Sequence, residues 1–249
     1  VSEPVVLHED GDLLVLDKPG NMVCHSASRP GQASLAAWVR EHGVGTPRFL
    51  NRLDRETSGV VVVTKNERAA KILGKQMLRR EVEKEYIAVC FGEFDQQKGV
   101  IEQPIAVTKD GVVYTKRVVD PAGKPCLTEF EVVERFGGES KRKSRSKSER
   151  EGFTVVRLWP WTGRAHQLRV HMAWLGHPIV GDKVYGPDER WYLEFIEKDV
   201  TEEMLKHLLM RRQALHAAAL TARHPTTQER MTWRAGLPED MKKFIEEHA

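Results

Sequence analysis

The sequence predicts an α+β fold built around a mixed sheet, and three observations carry that expectation. Short β-prone runs are interspersed with helical stretches along the chain, and no internal repeat is visible. One run, four valines and a threonine at 60–64, is suited to burial on both faces, as a central strand requires. With 249 residues, the chain can form one large domain or two modest ones around a core that needs no staples.

Residues 5–8 and 13–18, VVLH and LLVLDK, read as two short strands around an acidic glycine turn. Lys18-Pro19-Gly20-Asn21 then stops regular structure. A helix is expected over 34–41, where Leu35, Trp38 and Val39 recur at i, i+3 and i+4. After the valine strand, Asn66 can cap a helix over 67–80 whose apolar residues Ala69, Ala70, Leu73, Met77 and Leu78 share helical spacing. Strands are expected at 85–90, 112–118, 127–136 and 153–158, and a helix at 163–174 with Arg164 in its first turn. Residues 215–220 suit a strand or a short helix, and a polar helix starts near Pro238.

Composition narrows the class. Hydrophobic residues make up 40% and charged residues 30%, the balance of a globular protein, and no run approaches the 18 apolar residues of a membrane span. The three widely spaced cysteines fit reduced, buried thiols in a cytoplasmic protein. A Cys24–His25 nucleophile is disfavoured, because neighbours in an extended segment point apart. Net charge is only +3, yet from Arg135 to Lys183 eleven Lys/Arg stand against four Asp/Glu. A basic segment on an otherwise near-neutral chain fits a polyanionic partner. Part of it, ESKRKSRSKSER at 139–150, contains no apolar residue and is expected to be an exposed basic loop. A solubilising insertion and a phosphate-contacting arm both fit it.

Three segments carry polar residues with no evident structural purpose. FLNRLDRETSG at 49–59 runs directly into the valine strand, a junction that holds side chains rigidly while leaving them accessible. Asp54 sits between two arginines there and should stay ionised, fit for a nucleophile or base; a surface ion-pair cluster would look the same. WPWTGRAHQLRVH at 159–171 groups arginine, histidine and glutamine. Its histidines are five apart with no glutamate between them, which argues against zinc and for phosphate contact or carboxylate orientation. In KEYIAV at 84–89, Tyr86 begins a strand among charges, where simple packing would also explain it.

These segments resemble the RluA-type pseudouridine synthases. NRLDRETSG at 51–59 is similar to that family's signature loop, GRAHQLRVHMAWLGHPIVGDKVYG at 163–186 to its second motif, and KEYIAV to its tyrosine-bearing strand. LVLDKPGNMVCH at 14–25, GKPCLTEFEVVERF at 123–136 and RQALHAAAL at 212–220 match in the same order. The resemblance implies one catalytic domain over 1–249, a mostly antiparallel central sheet in two halves with flanking helices and an RNA cleft. It implies isomerisation of uridine in structured rRNA or tRNA by a cytoplasmic monomer, with no cofactor or metal. The small S4-like domain of many relatives is expected to be absent, since about four residues precede the first strand.

By the same resemblance Asp54, Tyr86 and Arg164 are catalytic, with Arg164 paired to the aspartate. Arg52 lies near the flipped base, Leu215 packs near the uracil, and Asn51, Arg55, His166, Gln167 and Arg169 complete the substrate contacts. Asn51 stands where the family usually has histidine. The reaction breaks N1–C1′, turns the base and rejoins it through C5. An ionised aspartate can attack C1′ or remove the C2′ proton; a tyrosine can take or relay the C5 proton; an arginine can fill the stack left by the flipped base. Two other readings stay open on the residues themselves. One is a noncatalytic RNA-binding module, and the other is a carboxylate-based nucleoside or glycoside hydrolase with Glu56 as its second acid.

Overall fold

The first eighteen residues fold back on themselves as expected. In the computed structural model, which describes residues 2–25, 33–109, 113–138 and 152–249, β1 (Val5–Glu9) pairs antiparallel with β2 (Leu13–Lys18). The basic loop expected at 139–150 lies outside the described residues. The chain divides into two compact units, one of Val1–Tyr86 and His216–Leu237, the other of Ile87–Leu215 and Pro238–Ala249.

In the first unit, α1 (Leu35–Glu41) starts at Ser34, whose side chain accepts the Ala37 N–H. A two-residue strand β3 (Arg48–Phe49) leads to β4 (Ser58–Thr64), and α2 (Glu67–Leu78) follows with Asn66 as its cap. β4 is buried along its whole length, flanked antiparallel by β2 and parallel by β11 (Leu215–Arg223). β12 (Arg230–Arg234) pairs antiparallel with β11. Alternation along the strands builds two cores. Leu14, Leu16, Val61 and Val63 pack with Leu35 and Val39 of α1, while Leu13, Val15, Val60 and Val62 pack with Leu73 of α2. With a helix on each face, a continuous valine run is the stable solution. Each such side chain contributes about 1.5–3 kcal/mol when buried.

In the second unit the strand order is β5 (Glu83–Phe91, which begins in the first unit), β10 (Phe153–Pro160), β9 (Thr128–Phe136) and β6 (Lys98–Ile101). β7 (Ile105–Val107) and β8 (Arg117–Val119) form a separate small ladder. The helices are α3 (Gln167–Trp174), α4 (Arg190–Lys198), α5 (Glu202–Leu208) and α6 (Glu239–His248). The ten strands of the large sheet pair mostly antiparallel with helices flanking them, the α+β class expected.

Two expectations are corrected. The strand at 112–118 is reduced to Arg117–Val119, because Val113 is instead buried in a cluster with Ile105, Val170 and Tyr185. The helix at 163–174 starts only at Gln167. His166 is left-handed (φ 59°), and the Gln167 side chain turns back to accept the Arg164 N–H at 3.1 Å. Arg164 therefore lies in the turn before the helix.

A carboxylate links the hairpin ends of the first unit. The Nε2 atoms of His8 and His224 lie 2.6 and 3.1 Å from Asp10 Oδ2, and the amides of Asp12 and Leu13 donate to Oδ1. Burial alone would raise the Asp10 carboxyl, but His8, the two amides and His224 outweigh it and hold it at about 2. The folded pKa thus lies below the unfolded value of about 3.9, so this stabilisation is present above pH 4 and lost as pH falls towards 2. Asp10→Asn should lower Tm at neutral pH and flatten its decline between about pH 4 and 2. An unchanged acid limb in thermal melts would show that Asp10 does not carry it.

Candidate active site

The segment between β3 and β4 carries Asp54, and its backbone is tied down at several points. The Asn51 amide donates to Val60 O at 2.9 Å and accepts the Val62 N–H at 3.0 Å, lashing the start of the loop to β4. The Leu53 N–H donates to Cys24 Sγ at 3.4 Å. The Thr57 N–H closes a turn on Asp54 O at 3.2 Å. Lys18, fully buried at the end of β2, donates to Pro19 O and Met22 O at 2.8 Å and to Arg55 O at 3.2 Å. These carbonyl dipoles offset the cost of burying its ammonium. It fastens the residue after Asp54 to the Lys-Pro-Gly-Asn turn.

The loop ends where β4 meets β11. Ser58 Oγ lies 2.9 Å from His216 Nδ1, and the next residue, Gly59, has φ +113°. A Cβ there would sit 2.2 Å from Ala217 O, so side chain and backbone geometry both demand glycine. Arg52 and Arg55 are exposed on either side of the half-buried Asp54. Tyr86, in β5, packs on the core that contains Leu53, Cys24 and Ala217. Burial first, then the negative charge of Asp54, pushes its phenol well above the ordinary value, so Tyr86 is a neutral hydroxyl at working pH. Burial likewise raises the Cys24 thiol, which rules out a resting thiolate beside Asp54.

The 159–171 segment belongs to the second unit and divides into exposed and internal residues. Arg164 is exposed, with Nε 3.4 Å from Pro125 O. His166 is half-buried, its Nδ1 2.8 Å from the Tyr185 hydroxyl. That hydroxyl also accepts the Arg117 N–H at 2.9 Å. Leu215 is buried at the start of β11.

Gln167 and Arg169, expected among the substrate contacts, are buried and bonded within the second unit. Gln167 is 4% exposed; its oxygen accepts from Thr162 Oγ1 and Arg164 N, and its nitrogen donates to Leu127 O and Thr128 Oγ1. All four positions of the amide are filled. Arg169 is 6% exposed and forms a two-pronged pair with Asp182, Nε–Oδ2 2.6 Å and Nη2–Oδ1 2.8 Å, while its guanidinium lies 5.0 Å from the Tyr185 ring centroid. Burial would raise Asp182, but Arg169 and the amides of Val184 and Tyr185 outweigh that and lower it. Asn51 is similar, its amide committed to β4. The sequence reading missed Lys18, hidden in a turn motif, and His216, hidden in an apolar run. Among the described residues no cluster of three or more His, Cys, Asp or Glu can hold a metal ion.

The first unit thus presents one aspartate on a braced loop, between exposed arginines and near a half-buried, neutral tyrosine. The family model described as RNA pseudouridylate synthase matches residues 12–174, and the chain belongs to that family, in its RluA/RluD-type branch. It is an RNA pseudouridine synthase.

Ribosomal large subunit pseudouridine synthase D of Pasteurella multocida is 33% identical over 247 residues, covering 97% of this chain and 69% of that protein. The Escherichia coli K12 protein of the same name is 34% identical over 247 residues, with the same coverage. An uncharacterized RNA pseudouridine synthase, YlyB of Bacillus subtilis, is 34% identical over 257 residues, covering 99% of this chain and 74% of its own. Among solved structures, human RNA pseudouridylate synthase domain containing 1 superposes with a TM-score of 0.68 at 25% identity, over 98% of this chain and 94% of that one. No helix among the described residues is long and apolar enough to cross a membrane.

Proposed function

We propose that this enzyme modifies uridines of large-subunit ribosomal RNA, working as a monomer in the cytoplasm. The observation that carries the choice of RNA is the match over 97% of the chain to proteins named for the large ribosomal subunit. The three buried free cysteines fit a reducing compartment.

In this reading Asp54 is the carboxylate that acts on the ribose, at C1′ or at the C2′ proton, once the uridine has left its stack. Tyr86 serves as a neutral relay. It accepts the C5 proton only as it passes its own onward, since a phenol whose pKa is raised is not a resting base. Arg52 and Arg55, exposed beside Asp54, suit the gap left by the base and the flanking phosphates. Arg164 is the cation assigned to Asp54 in the RNA-bound enzyme, and Leu215 and His166 complete the base contacts. Site-resolved pseudouridine mapping of ribosomal and transfer RNA from cells with and without the gene tests the target. Loss of one or more large-subunit sites is expected; losses confined to transfer RNA would overturn the choice of RNA.

A further inference from the structure

We infer that His216 is a positioning residue for the isomerisation, acting through Ser58 to hold the distal end of the Asp54 loop. The inference rests on Asp54 being the reacting carboxylate.

The geometry fixes the state of the imidazole. His216 is 1% exposed, with Nε2 3.3 Å from Ala235 O and Nδ1 2.9 Å from Ser58 Oγ. A carbonyl can only accept, so Nε2 carries the proton and donates to Ala235, and Nδ1 is the acceptor for the Ser58 hydroxyl. Ser58 is itself buried and stands four residues after Asp54, directly across from His216 in the parallel β4–β11 register. On its other side the loop is fastened by Asn51, Cys24 and Lys18. The Thr57 N–H to Asp54 O turn lies between those anchors and Ser58.

Backbone pairing ties Gly59 to Lys18 of β2, but on the β11 side it is short. The parallel register extends only over His216–Ser58 and Ala217–Gly59, and Gly59 has no side chain with which to resist sliding. The Ser58 hydroxyl is therefore a side-chain tie to β11 at the point where the turn enters β4. A misplacement of about 1 Å at a reacting group can cost on the order of 10²-fold in rate, so a loosened turn should appear in turnover.

Two isosteric halves of histidine separate positioning from packing. Asparagine places its oxygen near Nδ1 and keeps the acceptor for Ser58; glutamine places its amide nitrogen near Nε2 and keeps the donor to Ala235. The substrate is total RNA labelled with tritium at uridine C5, from cells lacking the gene. Single-turnover release at saturating enzyme, RNA affinity and Tm are measured for His216→Asn, His216→Gln, Ser58→Ala, His216→Gln/Ser58→Ala and Asp54→Asn, all below the lowest Tm.

His216→Asn is expected to release tritium within about fivefold of the parent, and His216→Gln and Ser58→Ala each about 30-fold or more slowly, with RNA affinity unchanged. The double variant should be no slower than either single, because both remove one contact. Equal rates for His216→Asn and His216→Gln, or additive losses in the double variant, would overturn the inference while Asp54→Asn stays inactive. An active Asp54→Asn would instead overturn the assignment of the carboxylate on which the inference rests.

Discussion

Asp54→Asn is expected to lower tritium release from C5-labelled uridine by more than about 10³-fold while leaving RNA affinity close to that of the parent. The substitution keeps the size of the side chain and removes the carboxylate and its charge. The loop should survive it, since the bonds that anchor it at Asn51, Leu53 and Ser58 run to Val60 O, Cys24 Sγ and His216 Nδ1. Affinity should survive it too, because Arg52 and Arg55 keep their exposed positions. Release rates and RNA titrations on the same preparation separate the two effects. Turnover within tenfold of the parent would remove Asp54 from the chemistry, and a parallel collapse of affinity would make it a binding residue.

The second large effect is on stability. Arg169→Leu should destabilise the second unit by about 3–5 kcal/mol, because it strands the fully buried Asp182 carboxylate without its cation. The double change Arg169→Leu/Asp182→Leu should recover much of that loss, since removing both partners leaves no buried charge. Denaturant melts of the three variants measure this directly. The competing outcome is a change in the salt dependence of RNA binding at unaltered stability, which is what a phosphate contact would give. That result would return Arg169 to the interface.

The Arg169 case shows where the sequence was legible and where it was not. Strand β4 was readable because four consecutive valines suit only a strand covered on both faces, and α2 because Asn66 stands before a helical apolar pattern. Asp54 was marked out by its place in a polar loop ahead of a buried strand. The burial of Gln167 and Arg169 in the second motif was not legible, because a polar residue in sequence carries no label for burial. Asp182 lies thirteen residues beyond Arg169, and nothing local announces the pair. Helix α4 went unseen for a different reason: its N-cap is Glu189, which makes no side-chain cap bond. For α5 the signal was present, Thr201 followed by Glu202 and Glu203, but the helix is only seven residues long.

The parallel partnership of β4 and β11 has a bearing on how the enzyme is made. Ser58 and His216 are 158 positions apart, so β4 is translated long before the strand that pairs with its first two residues. At about 5–20 residues per second, the interval is roughly 8–30 s. Throughout it the Ser58–Gly59 end of β4 lacks its partner on one edge, while β3 and Asn51, already made, bond to the valines further along that edge. The aspartate is present from the beginning of that interval, but its loop gains its last fixed point only when residue 216 emerges. A polypeptide still in synthesis therefore holds Asp54 before the Ser58–His216 contact that closes the far end of its loop can form.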